Sequence, residues 1–291
     1  MSTRINTNIN ALNALKSLND VSNRLSVAQL RLATGKRINT AGDDAAGYSI
    51  AKKFNARAEG LGQALNNIGS AKNLLAVAEG NLNNIVDILT QMKTKTIQAA
   101  DDSLGSSERN AIKAELQKLN AQIDLEVEQA TWNSNTIFKK GSNSTFNFQI
   151  GAGSSATNDT LVFNLLSSSN VSFSGGNTSF KAAGLNVTVG STTVSSSVYA
   201  QGLMSKIDTA IEDVSEALSY IGTVTNRLTY QETSLTVAKT NTESARSRIE
   251  DADMAYEQLQ ATKLQILQQT ASAMLSQANV GPQAILSLFN K

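Results

Sequence analysis

Histidine and cysteine are absent from this 291-residue chain, and proline occurs once. Without the first two, no Ser-His-Asp or Cys-His nucleophile can be assembled. The ligands that build most zinc, copper, haem and iron–sulfur sites are missing as well. Acid–base chemistry near neutral pH would fall to a carboxylate, lysine or tyrosine with a strongly shifted pKa. The expectation is therefore a non-enzyme with no catalytic, cofactor-binding or metal-binding residues. Zero cysteine also means no disulfides. Aromatics are 5% and charged residues 17% against 41% apolar, so small apolar side chains must carry much of the packing. A net charge of +1 gives no reason to expect nucleic acid or an anionic membrane as partner. No run of 18 apolar residues is present, so membrane insertion is not expected. Residues Met1 to Asn6 lack the apolar stretch of a cleavable signal peptide. Taken alone, that fits a cytoplasmic protein or one exported without cleavage.

Charge divides the chain into three parts. Residues 1–140 hold 17 basic and 13 acidic side chains, whereas residues 201–291 hold 7 and 10. Between them, residues 141–200 carry only Asp159 and Lys181. That middle stretch is rich in Ser, Thr, Gly and Asn. Its alternating Phe146, Phe148 and Ile150, and later Leu185, Val187 and Val189, predict short strands separated by Gly-rich turns.

The flanks follow a helical period. Ala71, Leu75, Ala78, Leu82, Ile85, Leu89, Met92, Thr96 and Ala99 alternate in steps of four and three, with Leu61, Leu65 and Ile68 leading in. Such a seam predicts a coiled-coil-like helix. After the break at 101–105, Ser106 or Ser107 is the expected N-cap, with Glu108 in the first turn. The next stripe is Ile112, Leu116, Leu119, Ile123, Val127 and Ala130. Near the C-terminus Ile207, Val214, Ile221, Leu228, Leu235, Thr242, Ile249 and Tyr256 recur every seven residues, with companions from Ala210 to Leu259 three positions on. The spacing predicts one helix over 205–259, roughly 80 Å long, which must lie along other helices.

Both ends are amphipathic. The first stripe is Ile5, Ile9, Leu12, Leu15, Leu18, Val21, Leu25, Ala28 and Leu32. The last is Leu264, Leu267, Ala271, Met274 and Ala278, with Ile285, Leu288 and Phe289 beyond Gly281-Pro282, where a short new helix is expected. Chain ends usually fray, and isolated helices of this length are marginal. A two-helix pair would leave much apolar surface exposed, which points to burial between subunits. The opposite charge of the flanks suits antiparallel pairing.

Other clusters read plainly. Asp43-Asp44 is expected to cap a helix starting near Ala45, and Glu250-Asp251-Ala252-Asp253 to face solvent or a neighbour. Gly35-Lys36-Arg37 lacks the frame of a phosphate loop and reads as an ion-pair donor at a helix break. Trp132 reads as a packing anchor, and Asn158-Asp159-Thr160 matches a glycosylation sequon.

These residues resemble those of a bacterial flagellin. The resemblance rests on Arg4 to Asn13, on the run Arg31-Leu32-Ala33-Thr34-Gly35-Lys36-Arg37 through Asp43-Asp44-Ala45-Ala46-Gly47, on Ser247 to Ala255, on Gln265 to Gln269, and on Ala273 to Asn279 with Pro282 to Leu288. It implies a mainly α fold: a long antiparallel coiled-coil-like bundle, paired N- and C-terminal helices and a small β-rich central segment. It further implies a subunit secreted unfolded through the flagellar type III apparatus, without a cleaved signal, to the extracellular filament. Its implied partners are other copies in a helical homopolymer, the flagellar cap and hook-associated proteins, and an export chaperone. Residues 1–44 with 252–291 would form an inner-tube domain whose stripes polymerise. Residues 45–251 would form a helical rod, with 141–200 facing outward.

Two departures stand out. Trp132-Asn133-Ser134 replaces the family's Phe-Asn-Gly. Gln91 and Lys95 replace the Arg and Leu by which receptor-sensed members engage the innate Toll-like receptor, so weak recognition is expected. The nearest rival is a hook–filament junction protein, against which Asp43-Asp44-Ala45-Ala46-Gly47 argues because junction proteins tend to have Pro soon after the Asp pair. An inserted metalloprotease is excluded by the missing His.

Overall fold

The computed structural model describes residues 7–138, 145–155, 158–165, 179–190 and 196–289, with side chains described as far as Val280. Five helices dominate these residues: α1 (Ile9–Thr34), α2 (Ala45–Ala99), α3 (Ser106–Gln129), α4 (Ser197–Glu250) and α5 (Met254–Phe289). Two small hairpins accompany them, β1 (Thr131–Trp132) with β2 (Asn135–Thr136), and β3 (Thr145–Gln149) with β4 (Thr160–Asn164). The elements form two compact units, residues 59–239 and residues 1–58 with 240–291.

In the unit 59–239 the seam of α2 is dry. Ala71, Leu75, Ala78, Leu82, Ile85, Leu89, Met92, Thr96 and Ala99 are each at most 1% exposed. Leu74 and Ile88, which lie off that seam, are buried too. The wider stripe follows from two neighbours. Lys95 reaches Glu115 of α3 (2.8 Å), while Lys93 reaches Asp208 of α4 (2.6 Å) and Lys72 pairs with its Glu232. The α4 pairs run in opposite chain directions, so α2 and α4 are antiparallel. From α4, Ile207, Ala210, Val214, Ala217, Ile221, Val224, Leu228 and Leu235 complete the core; from α3, Ile112, Leu116, Ile123 and Val127 do so. Alanine at alternate seam positions lets the backbones approach. The hydroxyl of buried Thr96 donates to the Met92 carbonyl (2.7 Å), which satisfies it within its own helix.

The central segment closes one side of this core. The β3–β4 register pairs Phe146 with Phe163 and Phe148 with Leu161, and Phe163 stacks on Tyr220 at 5.9 Å. The pattern at Leu185, Val187 and Val189 predicts a strand, but residues 179–190 form turns and irregular chain. Those three side chains are buried nonetheless. Their segment lies on α3, whose side chains supply the polar partners a ladder would have supplied. Asp124 accepts from the Ala182 N–H (2.9 Å), Gln117 donates to the Val189 carbonyl (3.4 Å), and Glu128 pairs with Lys181 (2.6 Å). That bond holds the Lys181 ammonium above its ordinary pKa.

Helix ends correct two expectations. The N-cap of α3 is Gly105, not Ser106 or Ser107, and no side chain bonds the free N–H groups there. At the other end, α5 continues through Gly281-Pro282 to Phe289, with no new helix starting at Pro282.

Trp132 is half-buried against the core, as a packing anchor, and the turn after it is tight. Asn133 and Ser134 both lie in the left-handed region, at φ 49° and 66°. This is the mirror-type hairpin turn that favours glycine at its second position. A non-glycine residue there costs about 1–2 kcal/mol, partly offset by glycine's greater freedom when unfolded. Ser134→Gly should therefore stabilise the unit 59–239 by roughly 0.5–1 kcal/mol. A thermal melt showing an unchanged or lowered midpoint would contradict the strained turn.

Candidate functional site

The unit of residues 1–58 and 240–291 is organised by one short pairing. Helix α1 ends at Gly35, whose φ of +70° suits a residue without a Cβ and whose N–H returns to the Arg31 carbonyl (2.8 Å). The chain then runs antiparallel to the segment between α4 and α5, with Lys36 opposite Asp251. Arg37 N–H donates to the Glu250 carbonyl (2.7 Å) and Ala252 N–H donates to the Gly35 carbonyl (2.9 Å). Lys36 Nζ meets Glu250 Oε1 at 2.6 Å, and the Arg37 guanidinium donates to the Ile249 carbonyl at 2.8 Å.

This pairing corrects the single helix expected over 205–259. Backbone groups at 250–252 are engaged by residues 35–37, so α4 stops at Glu250. Helix α5 restarts with Asp253 as its cap, accepting from Ala255 N–H (3.0 Å) and Tyr256 N–H (3.2 Å). The acids named in the sequence are thus structural. Asp44 caps α2 through the Gly47 N–H (2.9 Å), and a Cβ at Gly47 would lie 2.7 Å from Ile38 Cδ1. Asp43 accepts from the N–H groups of Thr40 and Asn39, which holds its carboxyl below the usual carboxylate value. Among the described residues, no group of three acids could hold a metal ion.

Helices α1 and α5 pair antiparallel. Asn8 Nδ2 donates to the Ala278 carbonyl (2.8 Å), Gln268 Nε2 to Ser22 Oγ (3.2 Å), and Arg31 Nη1 meets Glu257 Oε1 (3.2 Å). Glu257 is buried at 5% exposure, so its pairing with Arg31 fixes register as a polar seam residue does. The burial pattern traces a heptad seam on each helix: Ala11, Ala14, Leu18, Val21, Leu25, Ala28 and Leu32 on α1, and Glu257, Ala261, Leu264, Gln268, Ala271, Leu275 and Ala278 on α5. Only Leu25, Ala28 and Ala261 are fully buried among the apolar members.

The stripes read from the sequence divide between two faces. Leu18, Val21, Leu25, Leu32, Leu264, Ala271 and Ala278 face the partner helix. Ile9 (54% exposed), Leu12 (56%), Leu15 (43%), Leu267 (41%) and Met274 (64%) remain open. Ile5 lies outside the described residues, as do the side chains of Ile285, Leu288 and Phe289. Tyr256 and Leu259, expected to continue the α4 seam, are 59% and 63% exposed because the break at 251–253 resets the register, so that the seam falls at Glu257, Ala261 and Leu264, two positions earlier than the 259, 263 and 266 of the α4 heptads. Ile266 and Val280, absent from the sequence-derived stripe, are exposed as well. A signal was available for them: Leu259, Ile266, Ala273 and Val280 recur every seven residues. A second signal is that no charged residue occurs between Lys263 and Lys291. Lys263 sits on the outer side of α5 beside Leu259, Ile266 and Leu267, and beyond it the face is uncharged.

Elsewhere, Gln91 is exposed and Lys95 half-buried in its ion pair with Glu115. Asn158 of the sequon is exposed, beside an Asp159 whose carboxylate accepts from Ser155 N–H (3.0 Å).

Comparison with known proteins agrees with this picture. The bacterial flagellin N-terminal helical region matches residues 5–143, and the bacterial flagellin C-terminal helical region matches residues 204–289. A flagellin of Halalkalibacterium halodurans is 33% identical over 98% of this chain and 99% of that one. The flagellar filament 33 kDa core protein of Treponema phagedenis is 30% identical over 98% of this chain and 99% of that one. Among solved structures, a Vibrio parahaemolyticus chain assigned as a flagellar hook-associated protein aligns with a TM-score of 0.59 at 15% identity. It covers 72% of this chain and all of that one, a likeness of fold alone.

Proposed function

Because the chain belongs to the bacterial flagellin family, we propose that it is a structural subunit that polymerises with copies of itself into the flagellar filament. One observation carries the reading: the α1–α5 pair leaves many of its large apolar side chains outside. Ile9, Leu12, Leu15, Val27 and Leu30 of α1 and Tyr256, Leu259, Ile266, Leu267, Met274 and Val280 of α5 are each 41% exposed or more. Covering them in neighbouring copies would yield on the order of 10 kcal/mol, at 1.5–3 kcal/mol for each fully buried side chain. That is enough to offset the cost of association. Because α5 carries no charge beyond Lys263 until Lys291, the part of its face from Ile266 onward enters such an interface without stranding an ion.

In this proposal residues 1–44 and 252–291 form the inner tube, residues 45–251 the surrounding rod, and 141–200 the outward surface. The family further suggests export in an unfolded state by the flagellar type III system with a chaperone. At the filament it suggests contacts with cap and hook-associated proteins and an extracellular location. The chemistry is mechanical rather than catalytic. The long dry seam of the unit 59–239 gives a stiff strut, and the terminal pair supplies the adhesive face.

Seeding tests the reading directly. Purified subunit mixed with short filament fragments should extend them, whereas a hook–filament junction protein, the alternative, should not. Removing residues 282–291 should leave helical content of the unit 59–239 intact by circular dichroism and yet abolish stable filaments in electron micrographs. Normal filaments from the truncated chain would overturn the inner-tube assignment.

A second expectation concerns Gln91 and Lys95. A neutral amide replaces a bidentate cation, and the Lys95 charge, tied to Glu115, occupies an apolar contact position. Purified monomer should signal weakly in an innate-receptor reporter assay, and Gln91→Arg combined with Lys95→Leu should raise the signal at least tenfold. Strong signalling by the unaltered monomer refutes this.

A further inference from the structure

Resting on the self-assembly reading, we propose that Met274 is an oxidation site that controls assembly: a two-electron peroxide oxidant converts its thioether to the sulfoxide and weakens subunit association. The chain has five methionines, and the environments of the four described ones differ. Met92 is fully buried in the unit 59–239, and Met204 is half-buried. Met254 is 47% exposed in the first turn of α5. Met274, at 64%, is the more open of the two on α5. It lines a groove with Ala271 and Ala278 of its own helix and Asn10, Asn13, Ala14 and Ser17 of α1.

The position matters because Met274 keeps 64% of its surface open although Asn10, Asn13 and Ser17 of α1 line the same groove, and that open surface is what a neighbouring copy would cover. Ala271 and Ala278 flank it on α5, and the Ala278 carbonyl is already engaged by Asn8 (2.8 Å). No charged side chain follows Lys263 on α5 to attract or solvate a dipole. An apolar thioether suits a face that neighbouring copies cover, since methionine adapts to irregular contacts. A sulfoxide carries a strongly polar oxygen into the proposed interface, which is penalised on the open side of Met274 away from Asn10, Asn13 and Ser17.

The step balances with hydrogen peroxide as oxidant. A lone pair on Met274 Sδ attacks one peroxide oxygen, the S–O bond forms and the O–O bond breaks, and the leaving hydroxide takes the proton of the transferred oxygen and departs as water. Sulfur is oxidised by two electrons and the peroxide is reduced. Methionine sulfoxide reductases reverse the change, so the device is a switch rather than damage alone. Accessibility is highest before assembly and falls once the face is covered, so the switch acts on free subunits.

The test uses the full chain, with hydrogen peroxide applied either to monomer before seeding or to finished filaments. Peptide mass spectrometry locates the sulfoxide, and sedimentation gives the critical concentration. Monomer oxidised at Met274 should need at least a tenfold higher concentration to extend seeds. The Met274→Leu variant, whatever its own starting value, should show the same critical concentration before and after peroxide, and Met254→Leu should remain sensitive. In filaments Met274 should be oxidised at least tenfold more slowly than in monomer. Equal critical concentrations before and after Met274 oxidation, or equal oxidation rates in monomer and filament, overturn the proposal. Failure of untreated protein to extend any seed overturns the self-assembly reading, and this proposal falls with it.

Discussion

Where a long amphipathic helix stops decides which of its residues face outward, and here the stop is made by the pairing of residues 35–37 with 250–252. Seven-residue regularity runs in the sequence from Ile207 to Leu259, and an unbroken helix would keep Tyr256 and Leu259 in line with the buried seam of α4. The hydrogen bonds from Arg37 to Glu250 and from Ala252 to Gly35 interrupt it. Helix α5 then restarts on Asp253 with its seam two positions earlier in the seven-residue repeat. Glu257, Ala261 and Leu264 turn toward α1, while Tyr256, Leu259 and Ile266 turn away. The proposed adhesive face is a product of that shift in register. Lys36–Glu250 and the Arg37 contact to Ile249 hold the pairing on its solvent side.

Periodicity made the helical frame legible. The α2 seam, the α3 stripe and the α4 heptads through Leu235 are buried where the spacing places them. Their apolar positions have one solution, because water excludes every other rotation of a charged or amide-bearing face. Leu74 and Ile88 escaped because a two-helix template has one seam, and α2 has two neighbours. Leu185, Val187 and Val189 show the limit of alternation as a strand signal. It reports which side chains are buried, whereas a strand also needs a backbone partner. Here Asp124 and Gln117 serve as side-chain partners in its place.

The terminal stripe was legible in kind but not in direction. Size alone drew attention to Ile9, Leu12 and Leu15, yet Ala11 and Ala14 are the residues turned toward α5. Hydrophobicity ranks a leucine above an alanine for burial. It cannot tell which of two apolar faces is covered within the chain and which by something outside it. The polar contacts decide that. Asn8, Ser22 and Arg31 each find a partner on α5, and these three points set the rotation of α1.

Along the pair, the internal seam weakens toward the open end. Near the junction it carries Leu32, Ala28 and Leu25 against Glu257, Ala261 and Leu264; toward the chain ends it carries Ala14 and Ala11 near Leu275 and Ala278. The outer face strengthens in the same direction, with Leu15, Leu12 and Ile9 on α1 and Met274 and Val280 on α5 all exposed. Small inner residues let the helices approach but contribute little burial of their own. Fixing the backbone there costs about 1–2 kcal/mol per residue regardless. The tip of the pair therefore depends most on contacts from outside the chain. The same stretch of α5 is the one that carries no charge, so nothing in its sequence opposes that covering. The chain places its self-sufficient packing in the unit 59–239 and leaves much open hydrophobic surface on α1 and α5, which the proposed assembly would cover on both helices together.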